Sequence, residues 1–155
     1  MNHHYHIRAM VRDDLAEIAP ILDATGLFPS EMLPGMAEPY LEGAEPHVWL
    51  VACLGEDVLG FAYCEPERIT DRTFNLLAIA VEPSWQSRGV GQQLVFAVEE
   101  ELRTGGARVL LVETSSLPEF ERTRSFYDRL GFAREAVIRE FYAEGDDKVV
   151  FWKKL

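Results

Sequence analysis

The sequence has no long uninterrupted apolar run and only two cysteines. A helix that spans a membrane needs roughly 20 apolar residues, and residues 1–14 lack the apolar core of a signal peptide, so we expect neither an anchor nor a leader. Cys53 and Cys64 lie in apolar, strand-like runs without CxxC spacing, which predicts buried thiols in a reducing compartment. We therefore expect a cytoplasmic protein.

Basic residues are also scarce, with 15 Lys and Arg against 26 Asp and Glu. Nucleic acids and anionic membranes bind clustered basic residues, so neither is an expected partner. A surplus of acid can serve solubility alone, but it also suits a cationic substrate. The second interpretation rests on residues 18–45, which contain no Lys or Arg and five acids: Asp23, Glu31, Glu38, Glu42 and Glu45.

No metal site is predicted. His3, His4 and His6 are close in sequence, but residues at a chain terminus are commonly untethered. We interpret them as a histidine-rich end of the chain rather than as a set of ligands.

Apolar periodicity predicts strands that alternate with helices. One helix follows Asp13 or Asp14 as its cap, one covers about 91–104 before Gly105-Gly106, and prolines limit residues 26–46 to short helices. The expected strands are 6–10, 48–54, 58–65, 74–81, 108–114, 135–142 and 148–153. Four residues near helical spacing either line a substrate pocket or form the core face of a helix, and both interpretations stay open: Phe28, Met32, Met36 and Tyr40.

Two common nucleotide-binding motifs are missing. Without GxxxxGK[ST] or GxGxxG, neither a P-loop nucleotidase nor a dinucleotide-binding Rossmann unit is expected. The chain instead has an apolar strand, Pro83 and then QSRGVG at 86–91. Gly89 and Gly91 let backbone N–H groups approach a ligand closely, and the helix that follows adds unpaired donors and a partial positive charge. The segment can hold a pyrophosphate, although a plain strand-to-helix turn has a similar composition.

Two motifs indicate a known family. The first is QxxGxG after a strand that ends in AVEP, and the second is FYDRLGF at 126–132. Together they resemble the GNAT superfamily of coenzyme A-dependent N-acyltransferases, and FYDRLGF matches the family segment (L/F)YxxxGF. The resemblance extends from Ile7 to Leu155. It implies one domain over 1–155 with an α/β (α+β) fold: a mixed, mostly antiparallel sheet flanked by helices. Two parallel strands, ending at Val81 and covering 108–114, would splay apart at the cofactor site.

The resemblance also implies acetyl-CoA as the cofactor. Main-chain groups of Ile79, Ala80 and Val81 would bond the pantetheine arm as an extra strand, which an unpaired backbone edge allows. Arg88 would add a positive charge to the pyrophosphate site. Backbone N–H groups would hold the pyrophosphate at Gln86, Ser87, Arg88, Gly89, Val90, Gly91 and Gln92.

Two catalytic residues follow from the same resemblance. Tyr127 would protonate the sulfur of coenzyme A. A phenol has a pKa near 10 and a thiol roughly 8.5, so proton transfer from Tyr127 to the thiolate is uphill and the main contribution of Tyr127 would be orientation. The alternative role for Tyr127 is packing on the sheet. Glu113 would be the base, and a purely structural bond to Thr114, Ser115 or Ser116 is the alternative. Other family members place a glutamate where this chain has Asn75, and Phe120 replaces a common asparagine.

We expect an N-acetyltransferase in which a primary amine attacks the thioester directly. A small cationic or amino-acid-like acceptor is preferred. A protein N-terminus or lysine as acceptor, or a non-catalytic acyl-CoA sensor, stays open. A homodimer through the C-terminal hairpin is compatible with such folds, and the sequence does not decide it.

Overall fold

The computed structural model describes residues 5–155, in which seven strands form one sheet in the order β1-β2-β3-β4-β5-β7-β6. β4 and β5 are parallel, whereas β1–β2, β2–β3, β5–β7 and β6–β7 are antiparallel. The predicted mixed, mostly antiparallel sheet is confirmed. The elements are β1 His6–Ala9, α1 Leu15–Thr25, α2 Leu33–Leu41, β2 Val48–Leu54, β3 Asp57–Pro66, β4 Thr73–Val81, α3 Val90–Thr104, β5 Val109–Ser115, α4 Glu121–Arg129, β6 Ala133–Ala143 and β7 Asp146–Lys154.

The described chain divides into two compact units. The first contains residues up to 65 together with 77–101, and the second contains 66–76 together with 102–155. The chain passes from one unit to the other three times, at the end of β3, within β4 and within α3. The expectation of a single domain stays a prediction.

The core of the first unit lies where α1 and α2 pack on β2 and β3. Trp49 stacks on Tyr63 with ring centroids 4.1 Å apart. Cys53 and Cys64 are free and buried, as predicted, and burial raises the pKa of both thiols. Of the four residues with helical spacing, Met32 is exposed. The other three pack against this core, which favours the core interpretation for them: Phe28, Met36 and Tyr40.

Asp14 occupies the predicted cap position before α1, but its side chain makes no cap bond to that helix. The Arg8 guanidinium donates two hydrogen bonds to it, at 2.7 and 2.8 Å, and the Val11 N–H donates a third at 2.8 Å. Asp14 is thus the N-cap residue of α1 by position, but its carboxylate caps the preceding turn, Arg12–Asp14, through the Val11 N–H and ties β1 to that turn. The hydrogen bond from Arg8 lowers the pKa of this buried carboxyl.

Gly60 sets the distance between β3 and the end of β4 in the first unit. A Cβ at this position would lie 2.8 Å from Ala80 O and 3.4 Å from Val81 Cα. Both neighbours are backbone atoms, so a side chain could be accommodated only if a strand moved. Gly60 thereby fixes the place of two residues that were predicted to bind the cofactor.

In the second unit, the first half of β4 pairs with β5. Thr73–Leu76 are in register with Val109–Val112, and β5 continues through β7 to β6. The end of α3 follows the predicted glycine pattern, because Gly106 has φ 85°. Its N–H donates to Arg103 O at 3.1 Å, and the Ala107 N–H donates to Leu102 O at 2.9 Å, which is a Schellman C-cap.

We expect Gly60→Ala to lower the free energy of unfolding by about 1–3 kcal/mol, because the added methyl group overlaps the β4 backbone. Urea denaturation measures the change. Gly35→Ala is the matched control: Gly35 lies in α2 with nothing within 4 Å of an added Cβ, so this variant should lose no stability. Equal stability of the two variants would contradict the packing argument.

Asp14 should make folding sensitive to acid. Its pKa lies below the ordinary value of 3.8, so its contribution is complete above that pH and is lost as pH falls through the folded-state pKa. Asp14→Asn should cost about 1–2 kcal/mol at pH 7. In urea titrations, the difference in free energy of unfolding between wild type and variant should shrink below pH 3.8. If this difference stays constant down to pH about 2, the role assigned to the Asp14 charge is refuted.

Candidate active site

The loop from β4 to α3 contains two left-handed residues. A short 3-10 turn, Pro83–Trp85, follows β4, and the Glu82 side chain accepts a hydrogen bond from the Ser84 N–H at 3.0 Å. Ser87 then has φ 61° and Gly89 has φ 87°. The left-handed region is unfavourable for a serine, and such strain is concentrated at functional sites. The loop therefore has a defined and partly strained backbone immediately before the helix.

The N-terminus of α3 presents hydrogen-bond donors. The Gln93 N–H donates to Gly89 O at 3.0 Å, which is the first bond of the helix. Val90, Gly91 and Gln92 precede this bond, so their N–H groups have no carbonyl partner inside the helix. The positive end of the helix dipole adds to these donors.

The surroundings of these donors suit an anion. Among residues 5–155, a Cβ at Gly89 would meet only Tyr5 Oη, at 4.0 Å, so the described part of the chain leaves the surface over the loop open. The Arg88 guanidinium lies over the Trp85 ring, 5.1 Å from its centroid, which keeps a positive charge beside the loop. These features fit the diphosphate group of a nucleotide cofactor.

Gln86 is engaged within the loop. Its N–H donates to Pro83 O at 3.3 Å, and its side chain donates to Val81 O at 3.1 Å. The predicted contacts of Gln86 with the pyrophosphate and of Val81 with the pantetheine arm stay predictions. All the predicted cofactor-binding residues, including Ile79 and Ala80 in β4, belong to the first unit.

The second unit contains a polar network around Asn75, which is 3% exposed. Its side-chain Nδ2 donates to Glu113 Oε1 at 2.7 Å and to Glu67 Oε1 at 2.9 Å. Lys148 Nζ lies 2.6 Å from Glu113 Oε2. Both oxygens of Glu113 are thus engaged by donors, and one amide joins two carboxylates.

The alternative role predicted for Glu113 was a structural bond to Thr114, Ser115 or Ser116, and its observed partners are different. Ser115 Oγ donates to the Asp146 carboxylate, and Ser116 Oγ accepts from the Asp147 N–H at 2.9 Å. These two serines connect β5 to the start of β7. Glu113 instead bonds Asn75 and Lys148.

Tyr127 lies on α4 with its ring buried. The ring is 2% exposed and lies edge-on to Phe126 and Phe132, with centroids 5.1 and 5.5 Å away, and 5.5 Å from Phe151. Gly131 has φ 88°, its N–H donates to Asp128 O at 3.2 Å, and the Phe132 N–H donates to Tyr127 O at 3.2 Å. The glycine and the last phenylalanine of FYDRLGF therefore form a Schellman C-cap with its apolar contact.

Sequence reasoning missed Glu67 and Lys148. Glu67 lies just after β3 in a connection with a turn-like composition, and Lys148 is one of several charged residues in β7. No sequence pattern near either residue indicates a functional role, because only the pairing of the strands brings Glu67 and Lys148 to Asn75 and Glu113. Asn75 itself was noted, but as the loss of a glutamate rather than as the centre of a network.

Within residues 5–155, no group of three or more His, Cys, Asp or Glu could hold a metal ion. His3 and His4 lie outside the described residues, so the expectation that no metal is used stays a prediction. No helix in the same range has the length and apolar character needed to cross a membrane.

Comparisons with known proteins agree with this geometry. A GNAT-family protein from Desulfovibrio desulfuricans has a similar structure, with a TM-score of 0.91 and 30% identity over 97% of this chain and 99% of that chain. YncA from Salmonella typhimurium, solved with its cofactor acetyl-CoA, has a TM-score of 0.78 and 20% identity over 99% and 95% of the two chains.

A curated relative, N-alpha-acetyltransferase 30 from Schizosaccharomyces pombe, is 26% identical over 104 residues, which are 66% of this chain and 68% of that protein. The model of the acetyltransferase (GNAT) family matches residues 10–132, and this range includes both motifs and Asn75. The chain therefore belongs to the GNAT family, the family of acetyl-CoA-dependent N-acetyltransferases.

Proposed function

We propose that this protein transfers the acetyl group of acetyl-CoA to a primary amine, with a small cationic or amino-acid-like molecule as acceptor. The observation that carries the proposal is the loop 86–92, in which two left-handed residues lead into the first N–H groups of α3, which have no carbonyl partner inside the helix. Bound acetyl-CoA would supply an activated thioester at the site.

The cofactor would be bound mainly by backbone. Val90, Gly91 and Gln92 would donate N–H groups to the pyrophosphate, and Arg88 would add a positive charge. The register of β4 with β5 covers Thr73–Leu76, so Ile79, Ala80 and Val81 lie beyond that ladder. Their main-chain groups would bond the pantetheine arm by strand addition.

Glu113 would receive the proton that the ammonium group must lose before attack. Asn75 and Lys148 orient its carboxylate. Each carboxylate oxygen has a second lone pair, so both remain able to accept a proton from the amine or through water.

Tyr127 would protonate the departing sulfur. Three aromatic rings fix the plane of its own ring, and the C-cap fixes the backbone at its position. A hydroxyl held in this way contributes by orientation, which offsets the higher pKa of a phenol relative to a thiol.

The acceptor preference rests on charge. The net charge is -11, and one of the five acids in residues 18–45, Glu38, already pairs with Arg12 at 3.2 Å. The other four leave that region acidic, which attracts a cationic amine. Action in the cytoplasm and a homodimer through β6 and β7 are further parts of the proposal.

A protein N-terminus is the second candidate acceptor. The similarity to N-alpha-acetyltransferase 30 favours it. Thiol release measured across a panel of polyamines, amino acids, aminoglycosides and short peptides separates the candidates. Turnover with peptides alone would favour the second.

Gly89→Asp should weaken acetyl-CoA binding at least tenfold, because a carboxylate would face the pyrophosphate; tenfold corresponds to about 1.4 kcal/mol. Calorimetric titration measures the affinity. Gly43→Asp adds the same charge at another left-handed glycine, with nothing within 4 Å of an added Cβ, and should bind like wild type. Equal affinities of the two variants would argue against the assigned loop.

Tyr127→Phe should lower kcat for thiol release roughly 100-fold, the lower range for a lost proton donor. The ring contacts remain, so acetyl-CoA affinity and the thermal midpoint should change little. Unchanged kcat would assign Tyr127 to packing alone. Acetyl-CoA binding without turnover of any amine or peptide by the wild type would instead identify a sensor.

A further inference from the structure

The amide of Asn75 has a defined orientation. Its Nδ2 donates to carboxylate oxygens of both Glu67 and Glu113. The flipped amide would place Oδ1 against the same two acceptors, so chemistry excludes it. Because the two N–H bonds of one amide diverge by about 120°, the two accepting oxygens lie roughly 5 Å apart. Asn75 therefore holds two carboxylates side by side.

The two carboxylates differ in charge compensation. Glu113 pairs with Lys148 at 2.6 Å, and Lys148 Nζ also lies 3.5 Å from the centroid of the Phe141 ring. Glu67 accepts from Asn75 through one oxygen, and it forms no ion pair with any basic residue in the described part of the chain. One negative charge of the network is thus left without a cation.

The network is also one donor short. Asn75 Oδ1 is buried and accepts no hydrogen bond from residues 5–155. Buried polar atoms nearly always have a partner, and residues 5–155 supply none for this oxygen, so a ligand bound at the network can provide the missing donor. A primary ammonium group carries one positive charge and three donors. It complements a carboxylate without an ion-pair partner and the carbonyl oxygen of the amide that donates to this carboxylate.

We propose that Glu67 binds the ammonium group of the acceptor, in a site that Asn75 Oδ1 completes. This inference rests on the proposed function and adds the residue that selects a cationic acceptor. Glu113 lies across the same amide, so an ammonium bound at Glu67 is placed beside the proposed base. Lys148 pairs with Glu113, and burial, followed by the smaller effect of the Glu113 charge, raises the pKa of Tyr142.

Steady-state kinetics with the best amine of the panel tests the role of Glu67. Glu67→Gln keeps the size of the side chain and the bond from Asn75 but removes the charge. We expect KM for the amine to rise roughly tenfold while kcat changes less than threefold, because ground-state binding is lost. Glu113→Gln should show the opposite split, with a large fall in kcat.

Glu56→Gln controls for net charge. Glu56 lies in the turn between β2 and β3, so its replacement makes the same change in charge away from the network and should leave KM unchanged. An equal rise in KM for both variants, or no rise for Glu67→Gln, would overturn the proposal.

A binding measurement keeps the test independent of turnover. In NMR spectra of the labelled protein, butylammonium chloride should shift the side-chain amide signals of Asn75 in the wild type and in Glu56→Gln, but not in Glu67→Gln. No shift in the wild type at 100-fold molar excess would refute the site even if the enzyme is active. A shift without any thiol release would support the site and reject the proposed reaction.

Discussion

Two glycines in the left-handed region determine the backbone at the two family motifs, one in each unit. Gly89 has φ 87° directly before α3, and Gly131 has φ 88° directly after the last turn of α4. An L side chain is strained in either position. The first N–H groups of α3 take their place from the turn at Gly89, and the packed rings of Tyr127 and Phe132 take theirs from the turn at Gly131. Both halves of the proposed chemistry therefore depend on a missing Cβ.

These constraints are local, which explains why the sequence predicted the elements well. α3 begins one residue before the expected start and ends at Thr104. β6 and β7 are longer than the predicted 135–142 and 148–153, because a two-residue turn lets their ladder continue to the pair Ala143 and Asp146. Glycines, prolines and the spacing of apolar residues determine helices, strands and turns over a few residues. These elements can therefore be predicted from the sequence before the fold is known.

The network around Asn75 could not be predicted in the same way. Asn75 and Glu113 are 38 residues apart in sequence, and they meet because β4 and β5 are parallel neighbours. Lys148 reaches Glu113 only because β7 pairs with the other edge of β5. The family resemblance identified Glu113 and treated Asn75 as a lost base. The hydrogen bond from Asn75 shows that Glu67, in the connection between β3 and β4, places a carboxylate beside that position, and no local pattern marks this contact.

The two cysteines have a practical consequence for any study of the reaction. Cys53 and Cys64 have no exposed surface, and burial raises the pKa of both thiols. A chromogenic disulfide reagent reacts with exposed thiolates, so the buried thiols of the folded protein add almost nothing to the absorbance change. Coenzyme A released by turnover can then be followed continuously with such a reagent, and slow labelling of the protein thiols would report local opening of the β2–β3 core.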